Sequence, residues 1–133
     1  MRKLNTSTAR VLLALWLLPA ATAAEDLPMP TVWDTVYAWF LVANPEHVRG
    51  DDAHEAAVTH DHIQYQLRLQ VDGLAVAGGG LGAGGHPEII GLTLLRAGSL
   101  ESARALAAAD PAVKDGRFTS LVREWWIPGG RLP

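Results

Sequence analysis

Between Ser99 and Ile127 the sequence changes from helix to strand at a single proline, and that change limits what the rest of the chain can build. Leu100, Ala103, Leu106 and Ala107 recur at helical spacing and give one apolar stripe. Ser99 precedes them as an N-cap, its hydroxyl able to accept from a free N–H of the first turn. Glu101 adds negative charge at the positive end of the helix dipole. Pro111 disfavours the α conformation at Asp110, so the helix is expected to stop there. A turn through Lys114, Asp115 and Gly116 then leads into residues 117–127, whose β-branched and aromatic content reads as a strand.

The earlier elements supply partners for that strand. Residues 25–34 contain Pro28 and Pro30 and read as an extended lead-in. Thr35 to Val42 form a first strand, apolar almost throughout, so that both of its faces should be covered. From Asp52 to Asp72 there is neither glycine nor proline. Asp51 or Asp52 can cap a helix there, with Glu55 in capping-box position relative to Asp52. Val58, His62, Tyr65 and Leu69 make its inward stripe, Gln66 interrupts the neighbouring arc, and Gly73 is placed to end it. Leu74 to Ala77 read as a short strand running into residues 78–85, of which six in eight are glycine. Such a tract orders at high entropic cost and suits a flexible hairpin connection better than a strand. A phosphate loop is disfavoured, because no Lys-Ser or Lys-Thr follows and the next element is a strand. That strand runs from Glu88 to Leu95.

The resulting order predicts an α+β, ferredoxin-like βαββαβ fold with four antiparallel strands and both helices on one face. Two helices leave the other face open, yet Tyr37, Trp39, Phe40, Leu41, Val42, Leu121, Trp125, Trp126 and Ile127 fall on both alternations. Exposed apolar faces mark interfaces, so a homodimer through the sheet face is expected.

Composition sets the address. Arg2, Lys3 and Arg10, an apolar run from Val11 to Leu18, and a small-residue Ala21-Thr22-Ala23 site give residues 1–24 the layout of a secretory signal peptide. The apolar run is far shorter than the roughly 20 residues of a spanning helix. Cleavage after Ala23 or Ala24 leaves residues 25–34 as the lead-in and 35–133 as one domain, exported to the periplasm or secreted, without stable membrane association. An uncleaved segment would instead make a membrane-tethered interaction module. Removal of three basic residues leaves eight against fourteen acidic ones, a net charge of −6. Such a surface is no partner for nucleic acid. An exported chain without cysteine is not stapled by disulfides.

Five histidines, His47, His54, His60, His62 and His86, lack metal-ligand spacing. His60 and His62 lie about 200° apart on a helix, and no His-x3-His pair exists. No metal is expected. His62, on the inward stripe, is the histidine best placed to act as a partly buried acid or base. The residues alone leave open whether it is merely a core histidine, and whether Asp110 is merely a helix terminator accepting backbone hydrogen bonds.

The Ser-Leu-Glu-Ser-Ala helix start at Ser99, Asp110-Pro111, the following Gly116-Arg117-Phe118 and a last strand ending in Arg123-Glu124-Trp125 resemble the YciI-like (YCII-related) family. The resemblance spans residues ~35–127. It implies a dimeric α+β barrel, and a first-helix histidine eleven residues before the glycine that ends the helix, paired with the Asp-Pro aspartate; here these are His62 and Asp110. The family often has Gly-Pro after strand two, where this chain has Gly79-Gly80 and a longer tract, so that border of the pocket should differ. Tyr65 and Trp39 are candidate ligand-binding residues that suit the core as well. Arg117 and Arg123 are candidate anion contacts, Arg123 fitting a solvated rim beside Glu124. The expected function is a cofactor-independent enzyme using His62 and Asp110 for isomerase- or lyase-type chemistry on a small organic molecule. The alternative is a non-catalytic ligand-binding or structural homodimer.

Overall fold

The computed structural model describes residues 26–130 and Leu132; the expected signal peptide lies outside the described residues. The elements are β1 (Trp33–Ala43), α1 (Asp52–Val71), β2 (Ala75–Gly80), β3 (Ile89–Leu95), α2 (Leu100–Ala108), α3 (Pro111–Lys114) and β4 (Phe118–Pro128). The strands form one antiparallel sheet in the order β2-β3-β1-β4. This is the expected α+β, ferredoxin-like arrangement.

Three local expectations change. The segment after Pro111 is not a plain turn but the single-turn α3, with Asp110 as its N-cap and Pro111 at the first helical position, where a missing N–H does no harm. The second strand runs past Ala77 through Gly80, because Gly78, Gly79 and Gly80 pair with Thr93, Leu92 and Gly91 on β3. The ladder supplies the order that the glycines lack by themselves. The lead-in also ends sooner, since Trp33 and Asp34 pair with Pro128 and Ile127 on β4.

Helix α1 is capped by Asp51, whose side chain accepts from the His54 N–H. Glu55 turns its carboxylate back to the Gly50 N–H at 2.8 Å, one residue outside a standard capping box. At the other end Gly73 adopts φ +72°, and the N–H groups of Gly73 and Leu74 reach the carbonyls of Gln70 and Leu69. These two bonds make a Schellman motif, and its left-handed residue sits where a side chain would strain the backbone.

Alternation along β1 decides the core. Tyr37, Trp39 and Leu41 face the helices and are buried with Leu95, Val122, Leu69 of α1, and Ala103 and Ala107 of α2. The alanines of α2 let that helix approach the sheet closely. On the opposite face Leu121 and Trp125 remain 44% and 45% exposed in the isolated chain.

A charged cluster ties the β1–α1 loop to the start of β4. Arg117 Nη2 meets Glu55 Oε2 at 2.8 Å and the Glu55 carbonyl at 3.1 Å, while Nη1 donates to Thr59 Oγ1 at 2.7 Å. His54 Nε2 lies 2.6 Å from Asp115 Oδ1, and His47 sits between Glu55 and Asp115. Burial works against the Glu55 charge, but the Gly50 N–H, Arg117, Arg49 and His47 together hold its carboxyl below the usual carboxylate value.

Two outcomes follow from these contacts. Gly73→Ala is expected to lower the unfolding free energy by about 1 kcal/mol, whereas Gly85→Ala, with open space around it, should change it by only a few tenths, as read from urea midpoints. Because the folded Glu55 carboxyl titrates below its ordinary value of 4.5, its stabilisation is complete above that pH and is lost as pH falls through the lower folded value. The thermal midpoint should therefore drop on acidification below about pH 4.5, and Glu55→Gln should flatten that acid limb.

Candidate functional site

The cleft exists because the sheet withholds side chains beneath α1. Residues paired across neighbouring strands share a face, so Gly78, Gly80 and Gly91 lie on the helix side along with Trp39, Leu41 and Thr93. Where α1 passes over these glycines a cleft of about 300 Å³ remains. Its apolar wall includes Leu41, Ile63, Leu67 and Phe118, and its polar wall includes His62, Gln66 and Arg117. Ile63 and Leu67 are each 49% exposed, which is the cost of leaving that space unfilled.

His62 stands on the inward stripe of α1, one turn before Gln66. Its ring packs edge-on against Phe118, with centroids 5.9 Å apart and planes at 70°. Its Nδ1 lies 2.8 Å from Asp110 Oδ2 and 3.0 Å from Oδ1. The His62 side chain is 19% exposed, that of Asp110 fully buried. A carboxylate only accepts hydrogen bonds, so the proton on this ring belongs on Nδ1 and the lone pair on Nε2. Nε2 is thus the ring atom left for a molecule in the cleft.

Asp110 occupies its place because three elements converge there. As N-cap of α3 it accepts the Ala112 N–H at Oδ1, 2.8 Å. From α1 it accepts His62, and also Gln66 Nε2 at 3.3 Å. Gln66 Oε1 in turn accepts the Thr93 hydroxyl at 2.8 Å, from the centre of the sheet. Gln66 and Thr93 were not among the sequence candidates. The available signal was the four-residue spacing of His62 and Gln66, which puts both on one helix face.

The two aromatic candidates do not line the cleft. Trp39 is fully buried in the core, and its indole donates to Ser120 Oγ at 3.0 Å. Tyr65 packs against the core and donates its hydroxyl to the Leu106 carbonyl at 2.7 Å, fastening α1 to α2. Burial and the nearby Asp110 charge push its phenol above the ordinary value. Residue type alone makes both candidates, but the sheet register turns Trp39 into the core and the bond to Leu106 holds Tyr65 against α2. Arg117 does border the cleft, but its charge is matched by Glu55; Arg123 is exposed on the other sheet face.

Of the remaining histidines, His60 and His86 pair with neighbouring Asp61 and Glu88 at the surface. The backbone N–H of Glu88 itself and then His86 hold the Glu88 carboxyl below its usual value. Among the described residues, no group of three or more His, Asp or Glu side chains is arranged to hold a metal ion.

A search of curated proteins finds no match. Among solved structures the chain is similar to 5-chloro-2-hydroxyhydroquinone dehydrochlorinase (TftG) from Burkholderia phenoliruptrix AC1100, in complex with 2,5-dihydroxybenzoquinone. The identity is 18% and the TM-score 0.49, covering 68% of this chain and 92% of that one. The family model of the YCII-related domain matches residues 35–125, from the third residue of β1 into the second half of β4. The chain therefore belongs to the YCII-related domain family.

Proposed function

We propose that this chain is a small exported enzyme that needs no organic cofactor or metal and moves a proton on a small organic molecule held beside His62. The observation that carries this reading is the His62–Asp110 contact at the wall of the cleft, 2.8 Å long and backed by a fully buried carboxylate. Asp110 holds the ring through Nδ1, and Nε2 takes a proton from the substrate and returns it elsewhere. Asp110 also stabilises the imidazolium formed in between. Among the described residues that line the cleft, His62 is the one histidine, the residue type suited both to take up and to deliver a proton. A single acid–base group with no nucleophile beside it suits isomerisation or elimination, where one residue both removes and delivers a proton.

Screening the mature protein against enolisable and eliminable small molecules tests this. Any turnover found should fall about 10²–10⁴-fold in His62→Ala, the usual contribution of a positioned acid–base group, with a comparable loss in Asp110→Asn. Turnover that survives His62→Ala would refute the role. A ligand bound equally by wild type and His62→Ala, with no turnover, would favour the non-catalytic binding dimer.

We further infer a homodimer joined through the open sheet face, since Leu121 and Trp125 otherwise stand in water beside half-buried Phe40 and Val42. Sedimentation should give a dimer for wild type and a monomer for Trp125→Glu. Export rests on the composition of residues 1–24; sequencing the N-terminus of the protein recovered from its producing cell should find Ala24 or Glu25 first.

A further inference from the structure

The glycine tract and the interrupting glutamine of α1, which the pattern of core residues leaves unexplained, meet at one point. Gln66 bridges Asp110 and Thr93, and its amide has one available orientation. The carboxylate accepts only, so the amide nitrogen must face Asp110; the oxygen then faces Thr93, whose hydroxyl must donate. Thr93 is 2% exposed, so its hydroxyl is largely withdrawn from bulk water. Across the ladder from Thr93 stands Gly78. A Cβ there would lie 2.8 Å from Thr93 Oγ1, 3.2 Å from its Cγ2 and 3.3 Å from Gln66 Oε1. Relief of that clash by a turn of Thr93 about χ1 would take its hydroxyl away from Gln66. At Gly79, the next residue, a Cβ would meet nothing within 4 Å.

We propose that Thr93, Gln66 and the bare backbone at Gly78 form a positioning relay, Thr93 Oγ1–H to Gln66 Oε1 and Gln66 Nε2–H to Asp110, that fixes the Asp110 carboxylate and through it the Nδ1–H tautomer of His62. The relay rests on the reading of His62 as the acid–base group, and it assigns no substrate contact to its own members. Both ends of the Gln66 amide are engaged within the protein, so Gln66 acts through Asp110. Asp110 would otherwise be held by its own cap bond to Ala112 and by the ring it is meant to orient. Those two contacts leave the carboxylate free to pivot about the cap, and a pivot of that kind releases the ring to its other tautomer. The third donor, arriving from the sheet, removes the pivot.

Long-range proton–nitrogen correlation NMR of His62 tests the relay without any substrate. At a pH where the ring is neutral, wild type should show the Nδ1–H form. Thr93→Val, Gln66→Met and Gly78→Ala should each raise the ratio of Nε2–H to Nδ1–H by about threefold or more, the change that loss of one ordinary hydrogen bond from the chain would bring. Thr93→Ser, which keeps the donor, should restore the wild-type ratio, and Gly79→Ala should leave it unchanged. A merely structural role for Thr93 would not distinguish serine from valine in this signal. If Thr93→Val fails to fold, Gln66→Met, on the half-buried helix face, gives the same readout. An unchanged ratio in the folded variants overturns the relay. The two readings also fail separately. A shifted tautomer with turnover indifferent to His62→Ala removes the catalytic role and keeps the relay. An unshifted tautomer with turnover abolished by His62→Ala does the reverse.

Discussion

The geometry around the cleft depends on one buried carboxylate. Taking an ion of that kind out of water costs several kcal/mol, and the cost is recovered only when its oxygens are met by donors in good geometry. Asp110 has no exposed surface, and it meets N–H donors from its own cap, from His62 and from Gln66. Those donors lie on α3 and α1, while Asp110 itself follows α2. Satisfying the carboxylate therefore fixes how α1 sits against the junction of α2 and α3. The same demand explains why α2 ends where it does. Pro111 forces Asp110 out of the helical region, into the extended conformation in which an N-cap side chain can fold back on the next turn. A residue that a sequence pattern reads as punctuation is here an anchor for three helices.

Much of this fold was legible because its signals are local. Ser99 and Asp51 cap, Gly73 stops a helix, and Ala103 and Ala107 recur at the helical period; each is a property of a few adjacent residues. The strand order followed from the element order through a general preference for this topology. What was not legible depended on pairing. Gly78 to Gly80 belong to a strand only because β3 supplies the ladder, and Trp33 because β4 reaches back to it. Sequence propensity judged those residues alone, and the sheet judged them in company.

The site divides along the same line. His62 and its helix face could be read from spacing, and its pairing with Asp110, 48 residues away, came from family resemblance, since no spacing rule reaches across that distance. Trp39 and Tyr65 were attractive as aromatic residues near the right helix and strand. Both carry one polar atom, and the core offers each a partner, Ser120 for the indole and the Leu106 carbonyl for the phenol. A buried aromatic with its polar atom satisfied has no reason to turn toward a cleft. Gln66 presented the opposite case. A polar residue interrupting an inward arc looked like a flaw in the amphipathic pattern. It is tolerated because Asp110 and Thr93 satisfy both ends of its amide.

The cleft itself is best understood as missing side chains. Interiors close-pack wherever side chains are available to fill space, so a persistent gap beneath a helix needs a physical reason. Here the helix-facing positions Gly78, Gly80 and Gly91 cluster on two adjacent strands, and the ladder between those strands keeps their backbones from collapsing toward α1. Added atoms would meet different things at each. At Gly91 a Cβ would press on Leu41 Cδ1 at 3.1 Å, at Gly78 it would strike Thr93, and at Gly80 the nearest atom is a carbonyl oxygen at 3.8 Å. Gly80 is thus the position where a larger residue fits the backbone and yet fills the cavity. A β-branched residue at Gly80 would suit the strand better than glycine and leave His62 facing a more closely packed wall. The weak strand propensity of the tract and the presence of an open cleft are two consequences of the same glycines.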